Sequence, residues 1–527
     1  MTQIGYNKEN DIDIKDIVLR SKLGSRFSLM GQSNLFEELH ILETINGQII
    51  SGEILLQDGA NFIGEFPVLG MEYLDVTFRT PLEDVAYITH TFYVYATTPR
   101  ARTKPEQGGE QEKYALLFCS PELVENDHLK CRKSYKGTPS EIISKIMMDN
   151  FPKKIVPPIK FGDVSRVIDT ELNSEMSENY MKFVSPMWSP MRCINWLVQR
   201  AVSLSSSWST KDRVEHHRAG NPDFIFYQTL SESGGKYNLV SLSSLNEKES
   251  VREYHLSKGT GTINNQSIKS LLGFHFTVIQ DYLNIKYADK WEGIQQGVFA
   301  SRLYTHDITH KIFDDSNNYY NYKTDFHSTN HINRNKILPS VNENLSSKQD
   351  TVIHYKPKQD YIYTDEGTET SVSADKQFDR VIGREIDNFK IEEWFLSRKS
   401  LTNQLYSQTN KILVSGDSTI HVGDIVTLNI PTVASHLPEG EGLVYDKNVG
   451  GRFLITAIKH IIRAEGPEHK MWLELSRDSL ETSIPDSADF LGINSAAKLY
   501  QESSPPPTST TVPRQNTTGL PPVRYVP

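Results

Sequence analysis

The sequence predicts a mainly β fold with α+β insertions, and three observations carry that prediction. Residues 25–135 hold successive runs in which apolar and polar residues alternate, the period of a half-buried strand. Residues 136–250 hold two helix starts with capping residues, then a hairpin pattern. Residues 376–482 open on a helical stripe and return to alternating strands.

After a short N-terminal segment, residues 1–24, the first strand-rich unit spans 25–135. In "LFEELHILETINGQIISGEILLQDG", Asn46-Gly47 sits between two apolar runs. Asn-Gly accepts positive φ at both turn positions, so a type I′ hairpin is expected. In "MEYLDVTFRTP", Leu74, Val76 and Phe78 face one way and Asp75, Thr77 and Arg79 the other. "AYITHTFYVYATTP" and "YALLFCSP" supply two further strands, separated by the polar loop "PRARTKPEQGGEQEK".

The α+β unit, 136–250, begins with "GTPSEIISKIMMDNF". Thr138 is placed as N-cap, Pro139 at the first helical position and Glu141 to close a capping box; Ile142, Ile143, Ile146 and Met147 form the apolar face. "WSPMRCINWLVQRAVSL" repeats the device with Ser189 and Pro190, and Trp196, Leu197, Arg200 and Ala201 follow at helical spacing. "PDFIFYQTLSESGGKYNLVSLSSL" reads as a hairpin turning at Gly234-Gly235.

Residues 251–312 supply strands in "IKSLLGFHFTVIQDY" and "GVFASRLYTHDITHKIF". Residues 313–375 are polar, with little periodicity, and read as a long, partly irregular insertion. A helix follows in "IEEWFLSRKSLTNQLYS", with Ile391, Trp394, Phe395, Arg398, Leu401 and Leu405 on one face. In "KILVSGDSTIHVGDIVTLNIP", Val426, Leu428 and Ile430 alternate with Thr427 and Asn429. The unit 376–482 closes on "GGRFLITAIKHIIRAEGPEHKMWLELSRD". Its second strand sets Met471, Leu473 and Leu475 against Lys470, Trp472, Glu474 and Ser476, whereas its first is apolar on both faces. Residues 483–527 form a Pro/Ser/Thr-rich tail carrying eight of the 25 prolines, a composition that does not fold alone.

Composition limits the function. A net charge of −10 argues against a general nucleic-acid binder, which needs clustered Lys and Arg. Three cysteines, Cys119, Cys131 and Cys193, are too few for a disulfide framework or a four-thiolate zinc site and fit a reducing cytoplasm. No secretory signal and no membrane-spanning apolar run is expected. His306 and His310 have helical metal-ligand spacing, but Tyr304, Ile308 and the neighbouring Thr residues favour a strand, where that spacing chelates poorly. "VEHHRAG" lacks the zincin pattern, and "GTGTINNQ" lacks a preceding strand and a third glycine. There is no nucleophile elbow and no P-loop. Trp188, Trp196 and Trp394 read as core, and "NNYYNYKTDF" as an interface or an ordinary loop. His460 and His469 lie near the Gly466-Pro467 turn without further ligands, so no metal, cofactor-binding or catalytic residue is expected.

Several stretches, taken in order, resemble one family, the central baseplate hub of contractile-tailed bacteriophages of the T-even type. They are "NLFEELHILETINGQIISGEILLQDGANFIGEFPVLGMEYLDVTFRTP", "SPMRCINWLVQRA", "FIFYQTL" with "KYNLVSLSSL", and "STIHVGDIVTLNIP" with "GGRFLITAIKHII" and "MWLELSRD", spanning roughly residues 15 to 480. The resemblance implies two tail-tube-like β-barrel domains per chain, within 25–135 and 376–482, the second drawing strands from 251–312. It implies a homotrimer forming a pseudo-hexameric ring.

The implied role is structural and non-enzymatic, in the virion's tail baseplate after assembly in the host bacterial cytoplasm. The hub adapts a three-fold central spike protein to a six-fold tail tube or tube-initiator ring. It contacts peripheral baseplate or wedge proteins and leaves a channel for the tape-measure protein and DNA. An acidic chain suits a lumen that does not hold DNA. The family pattern gives no role to 313–375 or to the tail. Two alternatives are a hub/spike-type component of a related contractile injection system and a baseplate protein with cell-wall hydrolase activity. The short Pro-rich end and the lack of a catalytic constellation weigh against them.

Overall fold

Alternating burial runs through the first third of the chain. The computed structural model describes residues 10–482 apart from 22–24, 31–34, 71, 83–84, 104–110, 152–180, 202–221, 233–234, 257–275, 288, 308–310, 315–318, 327–329, 337–351, 359–390, 432–444, 447 and 465. All of these lie in one unit, Met1–Leu338 with Asn342–Ser483; a second, Pro339–Val341 with Ile484–Pro527, falls outside the described residues together with the proline-rich tail. The early strands are β1 (Asp13–Arg20), β2 (Arg26–Ser28), β3 (Phe36–Thr44), β4 (Ser51–Asp58), β5 (Tyr73–Arg79), β6 (Ile88–Thr97), β7 (Ala101–Thr103) and β8 (Gln111–Cys119). Leu74, Val76 and Phe78 of β5 are buried while the residues between them are not. They enter an apolar core with Ile17, Leu39, Ile54, Phe92 and Phe118.

The β3–β4 hairpin differs from expectation at its turn. The strands part at Leu42↔Ser51, so the loop is longer than a two-residue type I′ turn, and Gly47 has no positive φ. The Gly47 N–H instead bonds the Thr44 carbonyl at 3.1 Å. The cause is tertiary: Ile45 is buried and donates its N–H to the Thr456 carbonyl at 2.9 Å, and the Asn46 side chain donates to the Tyr406 hydroxyl at 2.7 Å.

In the middle of the chain the helix Pro139–Asn150 starts with the expected capping box. The Glu141 N–H donates to Thr138 Oγ1 at 3.4 Å, and the Thr138 N–H donates to Glu141 Oε2 at 3.2 Å. The helix Pro190–Val198 has Ser189 in N-cap conformation, but no side-chain bond completes the cap. Its buried face is Met191, Cys193, Ile194, Leu197 and Val198; Trp196 is partly exposed and carries the Arg200 guanidinium 3.7 Å above its ring. Two small ladders complete the unit, β9 (Ser134–Gly137) with β10 (Met181–Val184), and the hairpin β11 (Phe224–Thr229) with β12 (Lys236–Ser241). Gly235 ends that hairpin's turn; Gly234 lies outside the described residues.

The later strands are β13 (Ser250–His255), β14 (Ile279–Lys286), β15 (Ala300–Asp307), β16 (Ile312–Asp314), β17 (Tyr319–Asn321), β18 (Asn335–Lys336), β19 (Ile353–Lys358), β20 (Gln408–Ser415), β21 (Ile425–Asn429), β22 (Gly451–Arg463), β23 (Glu468–Arg477) and β24 (Ser479–Leu480). A 14-stranded sheet runs β14-β20-β23-β22-β3-β4-β8-β6-β5-β1-β2, with β7 on β8, and β13 on β21 beside β22. Its pairs are antiparallel except β13–β21. The fold is thus mainly β, with few helices. The closing hairpin joins the two halves: residues 451–454 of β22 pair β21, and residues 457–463 pair β3. A bulge between Ile455 and Ala457 separates the two stretches on the side facing β23. The second half encloses its own core, including Val422, Val426, Phe453, Ile458, Met471 and Leu473. No ladder among the described strands closes a barrel in either half; in the second, a single parallel bridge, His255↔Val278, links the segment before β14 to the end of β13.

The insertion carries more order than its composition suggests. β15 pairs β16, β17 and β19 in a separate four-stranded sheet. In "NNYYNYKTDF", Tyr320, Tyr322 and Phe326 are buried with Leu303 and Leu396, and only Tyr319 of the described tyrosines there is exposed. The stretch is therefore core for the helix Ile391–Gln404 as well as surface.

The capping box gives a direct test. Thr138→Ala removes one partner of a reciprocal pair at a nearly buried site, with an expected loss of about 1 kcal/mol of stability, read as a shift in the denaturant midpoint at constant slope.

Candidate functional site

The first candidate site lies where the two halves of the sheet meet. On β3, Leu39, Ile41 and Glu43 share the inward face, and Glu43 is fully buried. On β22 the inward residues are Ile458, His460 and Ile462, and on β23 they include His469 and Met471. The register sets Ile458 opposite Glu43 and Ile462 opposite His469, which brings the three polar side chains together. His460 Nδ1 lies 3.1 Å from His469 Nε2, and His460 Nε2 lies 3.5 Å from Glu43 Oε1. His421, on the segment before β21, places Nδ1 3.8 Å from Glu43 Oε2. The Leu230 N–H, at the end of β11, donates to Glu43 Oε1 at 3.3 Å. The Phe78 ring stands edge-on to His469 at 5.8 Å.

Burial and charge pull these groups apart in ionisation. Burial alone would raise the Glu43 carboxyl, but His421 and His460 more than offset it and hold it down at about 2. Burial, with His460 alongside, pushes His469 well below the ordinary histidine range, so it is neutral in the fold. His421 is raised: burial opposes its charge, and the Glu43 carboxylate outweighs that. The arrangement is a chain, His469–His460–Glu43–His421, rather than a cage. Among the described residues no group of three or more His, Cys, Asp or Glu side chains is set to hold a metal ion. The sequence reading placed His460 and His469 at the turn; the structure buries both and adds Glu43 and His421, which it missed.

A second polar cluster docks the insertion onto the sheet end. Asp478 accepts from His331 Nδ1 at 2.6 Å, from the Ile332 N–H at 3.2 Å and from Ser479 Oγ at 2.7 Å. His331 lies flat on Phe326, with ring centroids 3.7 Å apart. Asn333 bonds Ser479, and β18 pairs β24. Burial would raise Asp478, but His331 and these hydrogen bonds hold it below the ordinary carboxylate range.

Two exposed apolar areas stand out. β14 ends the path of the large sheet and turns Leu283, Ile285 and the adjoining Tyr287 outward, each about half exposed at 55%, 52% and 48%. On the small sheet, Phe313, Ile353 and Tyr355 are exposed, with Tyr304 stacked on Phe313 at 5.5 Å. His306 lies on that face, 2.7 Å from the Tyr355 hydroxyl, and is not a ligand in any metal group; His310 lies outside the described residues. The stretches "VEHHRAG" and "GTGTINNQ" also lie outside them. Trp394 is buried, and Trp188 and Trp196 pack on the α+β core, each beneath an arginine, Arg192 and Arg200. No described helix is long and apolar enough to cross a membrane.

Comparison with protein-family models finds no match, and comparison with curated proteins finds none. Solved structures do match. A tail protein from Neisseria meningitidis MC58 shares 10% identity over 89% of this chain and 99% of its own, with a TM-score of 0.42. The prophage MuSo2 tail protein from Shewanella oneidensis shares 10% identity over 88% of this chain and 98% of its own, also at 0.42. An E. coli component of the type VI secretion system shares 8% identity over 90% of this chain and 79% of its own, at 0.35. The structural neighbours are phage-tail and secretion-system proteins.

Two outcomes test the polar clusters. An unfolded chain takes up a proton at His469 below about pH 6.5 that the folded chain refuses, so this residue makes stability fall as pH drops below 6.5. Glu43 keeps its stabilising charge across that window and loses it only as pH falls from 4.5 toward about 2. His421 acts in the opposite sense, its stabilisation complete below 6.5 and lost as pH rises through its raised value. His469→Gln is expected to remove a slope of about 1.4 kcal/mol per pH unit from the urea-unfolding stability below pH 6.5. Asp478→Asn removes the charge facing His331, and hydrogen exchange is expected to speed up in residues 330–336 while the β22–β23 amides keep their protection.

Proposed function

We propose that the chain is the structural hub of a contractile-tail baseplate, acting as a homotrimer. The observation that carries this reading is the pairing of two sheet halves, each wrapped on its own apolar core and joined strand to strand at β3 and β22. If each half forms a tube-like barrel, three chains supply six such units. That is the geometry required between a three-fold spike and a six-fold tube. The edge strand β14, with Leu283 and Ile285 outward, supplies an edge that a ring would cover.

In this reading the central spike protein sits on the three-fold axis, and the tail tube or its initiator ring sits on the six-fold face. Peripheral wedge proteins contact the outside. Tape measure and DNA pass through a lumen to which an acidic chain does not bind them. The role needs no catalytic group and no cofactor. Cryo-electron microscopy of the purified protein with its spike tests it, with a three-fold ring holding two barrels per chain as the expected result. A compact monomer that forms no ring even with the spike present would overturn it. Leu283→Asp with Ile285→Asp is expected to leave the fold intact by circular dichroism and to convert the trimer to monomer in sedimentation.

A further inference from the structure

Asn46-Gly47 is the one Asn-Gly pair in the chain, and the type I′ turn that would call for it is not formed. The pair lies on the loop between β3 and β4, with Asn46 exposed to water. It is also a reactive pair. The Gly47 nitrogen and the Asn46 side-chain carbonyl carbon are held by the covalent chain within reach of a five-membered ring, and glycine sets no side chain over the attacking nitrogen. The fold gives a separate reason for glycine here: a Cβ on residue 47 would come within 2.5 Å of Thr44 Cγ2.

Both reacting groups are tied down in the fold. The Gly47 N–H, whose nitrogen is the nucleophile once its proton is lost, donates to the Thr44 carbonyl at 3.1 Å. Asn46 Nδ2, the leaving group, donates to the Tyr406 hydroxyl at 2.7 Å. Tyr406 follows the helix Ile391–Gln404 and packs against the core of the second half, so the hydroxyl is a fixed anchor. Both bonds have to open before the nitrogen reaches the carbon.

We infer that Asn46 is a site of spontaneous deamidation, with water as the only co-reactant and the hydrogen bond to Tyr406 as its brake. The Gly47 nitrogen gives its proton to water and attacks the Asn46 side-chain carbonyl carbon, forming a C–N bond. The bond from that carbon to Nδ2 breaks, and ammonia leaves with a proton from water. Water then opens the cyclic imide at either of its carbonyls. One opening gives aspartate on the ordinary backbone; the other gives a backbone that runs through the side chain and is longer by a methylene. Nothing is oxidised or reduced: amide and water become carboxylate and ammonium. Either product carries a negative charge and has no amide N–H for Tyr406. The change falls next to Ile45, whose N–H donates to the Thr456 carbonyl of β22 at 2.9 Å, and so beside the join between the two halves. The inference does not depend on the hub reading.

The test holds the full-length protein at mildly alkaline pH in heavy-oxygen water, folded in one arm and in urea in the other. Peptide mapping by mass spectrometry follows the label with time. Asn46 is expected to take up label in both arms, more slowly in the folded one. Tyr406→Phe, shown by circular dichroism to be folded, is expected to speed the folded arm by about fivefold, the factor that one ordinary hydrogen bond supplies, and to leave the urea arm unchanged. Asn46→Gln is expected to remove the label from this loop in both arms. The two arms of the unaltered protein decide the site without any variant: no label at Asn46 in the folded arm by the time the urea arm is complete, or equal rates in the two arms, would overturn the inference. A folded Tyr406→Phe chain that reacts at the unaltered rate would overturn it as well.

Discussion

Glu43 occupies a position that its strand reserves for apolar side chains. Leu39 and Ile41 precede it on the same face, and all three are fully buried. An ionised carboxylate there needs partners, because the cost of leaving a charge unpaired in an apolar interior is several kcal/mol. Its partners come from far along the chain: Leu230 after β11, His421 before β21, and His460 on β22. Each contact fixes one segment against β3. The carboxylate thus selects the register in which β22 meets β3. A shift by one residue would turn His460 outward and leave Glu43 facing hydrocarbon.

The same logic recurs at the other end of the hairpin. Arg477 is fully buried, and its guanidinium donates to Gln408 Oε1 and to the carbonyls of Gly450 and Asn448, with Phe453 4.4 Å beneath it. Burial lowers it to about 10, which still leaves it charged at neutral pH. Asp478, the next residue, faces the insertion and gathers His331, Ile332 and Ser479. The chain therefore uses adjacent charged residues for two different joins, one holding the start of β22 and one holding the insertion. The apolar cores supply most of the burial, while the buried polar groups specify which segments meet.

That division explains what could be read from the sequence. The alternation in β5, the capping box at Thr138 and Glu141, the helix Ile391–Gln404 and the inward row Met471, Leu473 and Leu475 all depend on neighbours a few residues away. The turn at Asn46-Gly47 carried a strong local signal and still differed, because Ile45 and Asn46 answer to Thr456 and Tyr406. The candidate site was half legible. Strand period alone puts Glu43, His460 and His469 on inward faces. That they converge requires the β3–β22 register, a pairing between residues more than 400 positions apart that no local pattern encodes. Tyr320 and Tyr322 were hidden for a related reason: they are buried with Leu303, on the paired strand β15, and with Leu396, on a helix about 75 residues further along.

The outer surface reverses the rule that governs the seam. Inside, polar groups appear where apolar ones are expected, and Glu43, Arg477 and Asp478 each face partners from remote segments. Outside, apolar groups appear where polar ones are expected, on β14 and on the face of the small sheet, with no covering segment among the described residues. An edge strand with outward Leu283 and Ile285 is a hazard for a lone chain, since its free N–H and C=O groups invite further pairing. Lys286 and Asp281 on the same strand are only sparse protection. Such an edge is stable to selection when assembly covers it. The internal seam is specified by charge and the external edge is left apolar, so the buried partners fix the register in which the two halves meet, and β14 is the edge that the proposed ring would cover.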